Sequence, residues 1–230
     1  TADPEAYAKF LQASAIFNRR ERARFPDAIA LLEQAIRLDP AFARAHARLG
    51  AFHILAPVYT GAALDASIDA ARLHANRAIE LMPTLAEPHT VLAYAHGIRR
   101  EFIAEREAYE RALALEPDDV LSNFWHALWF VRSGYLAEGA RRLDRLLEID
   151  PMFPNGLNLR GWLYEFEGDA VNARRVVERA LDLGIATSHL TLAFHNASYT
   201  RTETTTETPP DAEGANTGKG DVKDVLASPA

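Results

Sequence analysis

Regularly spaced histidines are the first side chains in this sequence with the means to do chemistry. His46 and His53 stand seven residues apart, and His89 and His96 repeat that spacing. Imidazole can ligate a metal or move a proton at neutral pH. Seven residues along a helix is two turns, about 10.5 Å of rise, whereas zinc holds its nitrogen ligands at about 2 Å, so one helix cannot supply both. His46 and His89 could approach across packed helices about 8–10 Å apart, but no carboxylate stands at matching spacing. Packing between helices is the expected role, with no metal and no cofactor. Asp65 and Asp69, four apart on one helix face, resemble a paired-carboxylate site. They also open a helix, where acidic side chains oppose the helix dipole, and that is the simpler reading. Arg19-Arg20-Glu21-Arg22 and Arg141-Arg142 read as solvated turns and faces. No Ser-His-Asp arrangement, phosphate loop or metal motif is visible. The absence of cysteine removes thiol catalysis and disulfides. The chain is expected not to be an enzyme.

The elements that carry these residues follow from an internal repeat. Ala35-Ile36-Arg37-Leu38-Asp39-Pro40 returns as Ala78-Ile79-Glu80-Leu81-Met82-Pro83, as Ala112-Leu113-Ala114-Leu115-Glu116-Pro117 and as Leu146-Leu147-Glu148-Ile149-Asp150-Pro151. It returns degenerately as Ala180-Leu181-Asp182-Leu183-Gly184-Ile185. The prolines fall 43, 34 and 34 residues apart, so the second unit carries a nine-residue insertion. Small residues at Gly50, Ala93, Ala127 and Gly161 stand where paired helices approach closely. Glu105, Gly139 and Leu146 depart from the alanine that the pattern prefers. Each proline follows a helix that it cannot continue. Helices are predicted at 4–19, 26–38, 41–56, 64–81, 84–98, 101–115, 118–132, 136–149, 153–167, 170–183 and 187–198. Within Ala56-Pro57-Val58-Tyr59-Thr60-Gly61, proline and glycine predict a loop projecting at the hairpin turn, followed by a lengthened helix.

The 34-residue period and its signature positions identify the chain as resembling the tetratricopeptide repeat (TPR) family. That resemblance implies an all-α, right-handed solenoid of about five helical hairpins plus a closing helix. The domain spans residues 1–199. Residues 200–230, rich in Thr, Glu, Pro and Gly and without an aromatic residue, cannot offset the entropy of ordering and are expected to be a disordered tail. Tyr7 with Phe10-Leu11-Gln12-Ala13, the Ala28-Ile29 run, Leu85-Ala86-Glu87-Pro88-His89 and Phe102-Ile103-Ala104-Glu105-Arg106-Glu107 resemble the TPR regions that follow the effector domains of bacterial class III adenylate cyclases and winged-helix transcription regulators. In such proteins the repeats form the sensory or partner-binding half. The chain starts at Thr1 rather than Met, so a processed or excised segment is expected, with an effector domain upstream.

Composition narrows the partners. A formal charge of −7 argues against binding nucleic acid through its phosphates. No run approaches the roughly 18 apolar residues of a membrane span, so no membrane insertion is expected. A cytoplasmic location is expected, and a periplasm fits the same absence of cysteine. The expected function is a scaffold that binds a protein or peptide in the concave groove; oligomeric state is not legible. By helix phase the groove residues are Arg44, Arg48, Tyr94, Phe124, Trp125, Leu128, Asn158, Trp162 and Phe166. Phe124, Trp125 and Trp162 would be apolar anchors, with Arg44 and Arg48 as a clamp for an acidic end. The chain lacks the lysines with which chaperone-binding TPR modules hold a C-terminal carboxylate. Two alternatives stay open: a small-ligand sensor whose groove holds a metabolite, and a closing helix whose Leu190, Leu192 and Phe194 cover the aromatics.

Overall fold

Proline and small residues set the helix boundaries. In the computed structural model, which describes residues 1–182 other than Arg20, the helices are α1 (Pro4–Arg19), α2 (Phe25–Leu38, entered from a 3-10 turn at Arg22–Arg24), α3 (Ala43–Thr60), α4 (Leu64–Leu81), α5 (Glu87–Ile98), α6 (Phe102–Leu115), α7 (Val120–Arg132), α8 (Leu136–Ile149), α9 (Pro154–Glu167) and α10 (Ala170–Asp182). No strand occurs among the described residues. The expected closing helix at 187–198 and the tail at 200–230 lie outside them. No described helix is long and apolar enough to cross a membrane.

The repeated alanine does two jobs at once. The carbonyls of Ala35, Ala78 and Ala112 accept the capping N–H groups of Asp39, Met82 and Glu116, at 2.9, 2.8 and 3.0 Å. All three alanines are fully buried, so the residue that closes the helix also lets the next helix approach. Aspartates satisfy the opposite ends. Asp3, Asp119 and Asp169 each accept the N–H three residues on, at Ala6, Ser122 and Asn172.

The described chain divides into two compact units, Thr1–Ala127 with Glu148–Pro151, and Leu128–Leu147 with the described residues 152–182. In the first unit each helix from α1 to α6 packs on its neighbour in sequence, and α3 also packs on α5. This pairing of alternate helices is what a stack of hairpins requires. Phe10 and Phe42 in one tilted pair, and Phe17 and Phe25 edge-on to Phe52 in a second group, fill its core. In the second unit α9 packs on α10.

The insertion makes no loop, which corrects the sequence expectation. The second helix of that hairpin lengthens as expected, but the first lengthens too, each reaching 18 residues, and only 61–63 join them. Pro57 stands inside α3 and deprives the His53 carbonyl of its usual donor, a change that costs about 3 kcal/mol in an unsupported helix. Packing supplies the support. The Tyr59 ring lies flat on Phe25, with centroids 4.3 Å apart and planes 5° apart. The Thr60 hydroxyl donates to the Ala56 carbonyl at 2.8 Å, and Gly61 ends the helix in the left-handed region at φ 76°.

Two departures from the small-residue pattern are matched by glycine opposite. A methyl group at Gly97 would collide with the carboxylate of buried Glu105, and one at Gly156 would stand 3.0 Å from the Leu146 methyl. A large side chain therefore occupies the alanine position where the facing helix has given up its own. Gly139, the third departure, is buried.

Candidate interaction surfaces

In the first unit the expected clamp is divided. Arg44 is exposed on α3. Arg48, one turn later, is committed to a bidentate ion pair with Glu87 at the start of α5, at 2.6 and 3.2 Å, and is not an open clamp. Its guanidinium also lies 4.9 Å from the Phe17 ring centroid. The two side chains are only 17% and 10% exposed, so this pair belongs to the packing of α3 on α5. Burial pushes the Glu87 carboxyl above its ordinary pKa, Arg48 opposes that shift, and the charges of Asp119 and Glu116 add to it. A buried hydrogen-bond chain lies near it. Thr90 and Ser122 share a 2.5 Å contact, and Ser122 donates at 2.6 Å to Asp119.

The aromatics expected to be anchors separate in the same way. Trp125 is 2% exposed, and Phe124 is buried as well. Tyr94 is half-buried, its ring tilted 47° against Trp125 at 4.9 Å. Phe124 and Trp125 are therefore core side chains of the first unit, and Tyr94 is the part of this group nearest water.

In the second unit Leu128 is half-buried on α7, and α9 carries a ladder. Asn158, Trp162 and Phe166 recur every four residues and so share one face. Asn158 and Trp162 are half-buried, and Phe166 is 52% exposed. The Trp162 and Phe166 rings stack at 5.8 Å and 25°. The Asn158 amide oxygen is buried and has no hydrogen-bond partner among the described residues, a deficit that costs about 1–3 kcal/mol. The helix itself is held from another side. Arg160, buried on α9, reaches Asp144 of α8 through two bonds at 2.7 and 3.3 Å and lies 3.6 Å from the Tyr164 ring centroid. Sequence phase located this ladder. The Asn158 deficit is visible only in three dimensions.

The histidines form a group that the sequence did not anticipate. His46 meets His74 of α4, not His89, with Nδ1 atoms 3.0 Å apart. His53 lies parallel to His74, centroids 5.6 Å apart. Burial lowers the pKa of all three, reinforced at His46 by Arg77; His74, also repelled by the charges of His46 and His53, falls to about 4. The sequence offered no direct signal for His74, which stands outside the seven-residue spacing. Among the described residues, no three or more His, Asp or Glu side chains converge as a metal cage. Asp65 lies in the first turn of α4 as expected, and Asp69 pairs with Arg99 at 3.3 Å.

No family model matches the chain, and no curated protein matches it. Solved structures do. A thermophilic TPR protein of Thermus thermophilus superposes with a TM-score of 0.63 at 15% identity, over 85% of this chain and 99% of that one. The fold is that of the TPR proteins. The Pseudomonas aeruginosa PilF protein gives 0.60 at 15% identity, over 86% of this chain and 85% of that one. PilW, a widely conserved type IV pilus biogenesis factor, gives 0.55 at 16% identity, over 83% of each chain. At these identities the likeness carries the TPR fold and nothing finer.

Proposed function

We propose that the chain is a protein-interaction scaffold and that the face of α9 receives an extended peptide. The observation that carries this reading is the Asn158, Trp162 and Phe166 ladder, whose Phe166 ring is half exposed and stacked on Trp162. A carboxamide both donates and accepts, which complements the backbone of an extended peptide. Two stacked aromatic rings one turn away offer an apolar side chain a platform that loses little entropy on binding. The loss of Phe124 and Trp125 to the core moves the anchors onto this one helix. The first unit still presents Arg44 as an exposed cation and Tyr94 as a half-buried ring. The scaffold serves as the partner-binding part of a bacterial regulatory protein, a reading supported by the likeness of its repeat segments to those that follow cyclase and winged-helix effector domains.

Selection of a random-peptide phage library on the full chain tests this. A synthetic copy of an enriched peptide, measured by fluorescence anisotropy, should lose at least tenfold in affinity on Phe166→Ala and on Asn158→Ala. Melting temperature should barely change with Phe166→Ala. Peptides whose affinity ignores both substitutions would place the binding surface elsewhere.

A further inference from the structure

We propose that His46 and His74 form a two-imidazole site for a divalent transition-metal ion, with copper(II) bound most tightly. The rings come from the two helices of one hairpin, α3 and α4, with Nδ1 atoms 3.0 Å and centroids 5.3 Å apart. At a metal–nitrogen distance of about 2.0–2.1 Å, two ligands on a tetrahedral ion stand roughly 3.3–3.4 Å apart, and neighbours in a square plane about 2.9 Å apart. The observed separation falls between these values. An ion is accommodated by turning the two rings toward a common point, without moving either helix.

His46 is already oriented for this. Its Nε2 lies 3.3 Å from the Pro40 carbonyl, which can only accept, so Nε2 carries the proton and Nδ1 presents a lone pair. Metal-ligating histidines are held by the same kind of outer contact. In the metal-free chain the proton between the rings therefore belongs to His74 Nδ1. Coordination requires that proton to shift from Nδ1 to Nε2 of the same neutral ring, which frees the second lone pair without net proton release. His53 lies parallel to His74, with centroids 5.6 Å apart. Asp39 beside His46 and Glu33 beside His53 favour a cation, and Arg77 opposes one. Water completes the coordination, since two imidazoles are all the protein brings. The bound ion would tie α3 to α4.

Titration of the full chain with copper(II) chloride in a non-chelating buffer, followed by calorimetry and electron paramagnetic resonance, tests the site. One ion per chain should bind with micromolar affinity, and its spectrum should show coupling to two nitrogens. Nickel and zinc should bind more weakly. His74→Gln, at a half-buried position, should weaken copper binding at least tenfold and abolish the metal-induced rise in melting temperature. His96→Gln, where the histidine is bonded to Glu101 instead, should change neither. Copper bound equally by the His74→Gln chain, a spectrum without two-nitrogen coupling, or no binding at micromolar concentration would each overturn the proposal and leave the pair as a hydrogen bond only.

Discussion

Replacing either member of the Arg48–Glu87 pair tests whether α3 and α5 are held together by buried charge. With the side chains only 17% and 10% exposed, water screens the pair weakly, and removing one partner leaves the other desolvated. Such losses cost about 3–5 kcal/mol, or roughly 6–20 °C in melting temperature at about 2–4 °C per kcal/mol for a chain of this size. The two single variants should differ in their pH dependence. Glu87→Gln removes the carboxyl whose raised pKa weakens the wild type as pH rises, so its cost should be largest at low pH and shrink as pH rises; the Phe17 ring at 4.9 Å offsets part of the burden of the unpaired guanidinium. Arg48→Met leaves Glu87, whose carboxyl burial already pushes up, free to take a proton. A raised folded-state pKa means stability that is fully present below the unfolded value of about 4.3 and is lost as pH rises through the folded one. Removing Arg48 raises that folded pKa further, so the cost of Arg48→Met should grow by up to about 1.4 kcal/mol per pH unit between the folded pKa of the wild type and that of the variant. The double variant Arg48→Met/Glu87→Leu should fall near wild type, since well-packed apolar pairs replace buried ion pairs at little net cost. Urea melts of these chains and of the Glu87→Leu single variant at pH 5 and pH 8 close the cycle. Single variants that each cost under about 1 kcal/mol, add independently and ignore pH would refute the reasoning, because the pair would then be solvated.

With a chelator present, stability should decline as pH falls from about 6.5 toward 4, because the unfolded chain takes up a proton that His74, held at about 4, refuses. Discounted for partial exposure, the loss should be about 1–2 kcal/mol, and a His74→Gln chain melted over the same range should show less of it. Gly61→Val should cost at least about 1 kcal/mol, since a β-branched residue resists φ 76°; a chemical melt matching wild type would contradict the strain. Gly156→Ala should destabilise alone and be partly rescued by Leu146→Ala, which removes the methyl 3.0 Å away. Additive effects in that cycle would show that the two positions do not share space.

Sequence alone determined the helix order and most helix ends, because those depend on local chemistry that repeats. The repeated prolines follow helix ends at a period of 34 residues, which leaves one hairpin per unit, so α1, α4 and α8 begin and end where the pattern placed them. Helix phase likewise put Trp162 and Phe166 on one face of α9, since residues four apart meet whatever surrounds them. Tertiary packing decided the rest. Whether Pro57 ends α3 depends on Phe25 being positioned to receive Tyr59, a contact between residues distant in the chain. Whether Trp125 is an anchor or core, and whether Arg48 is a clamp or a structural ion, depends on which side chains of neighbouring helices cover them. His74 became the partner of His46 because α3 packs on α4, which brings together positions that no single helix's periodicity relates. Periodicity fixes which residues share a face; only the neighbouring element fixes what that face touches.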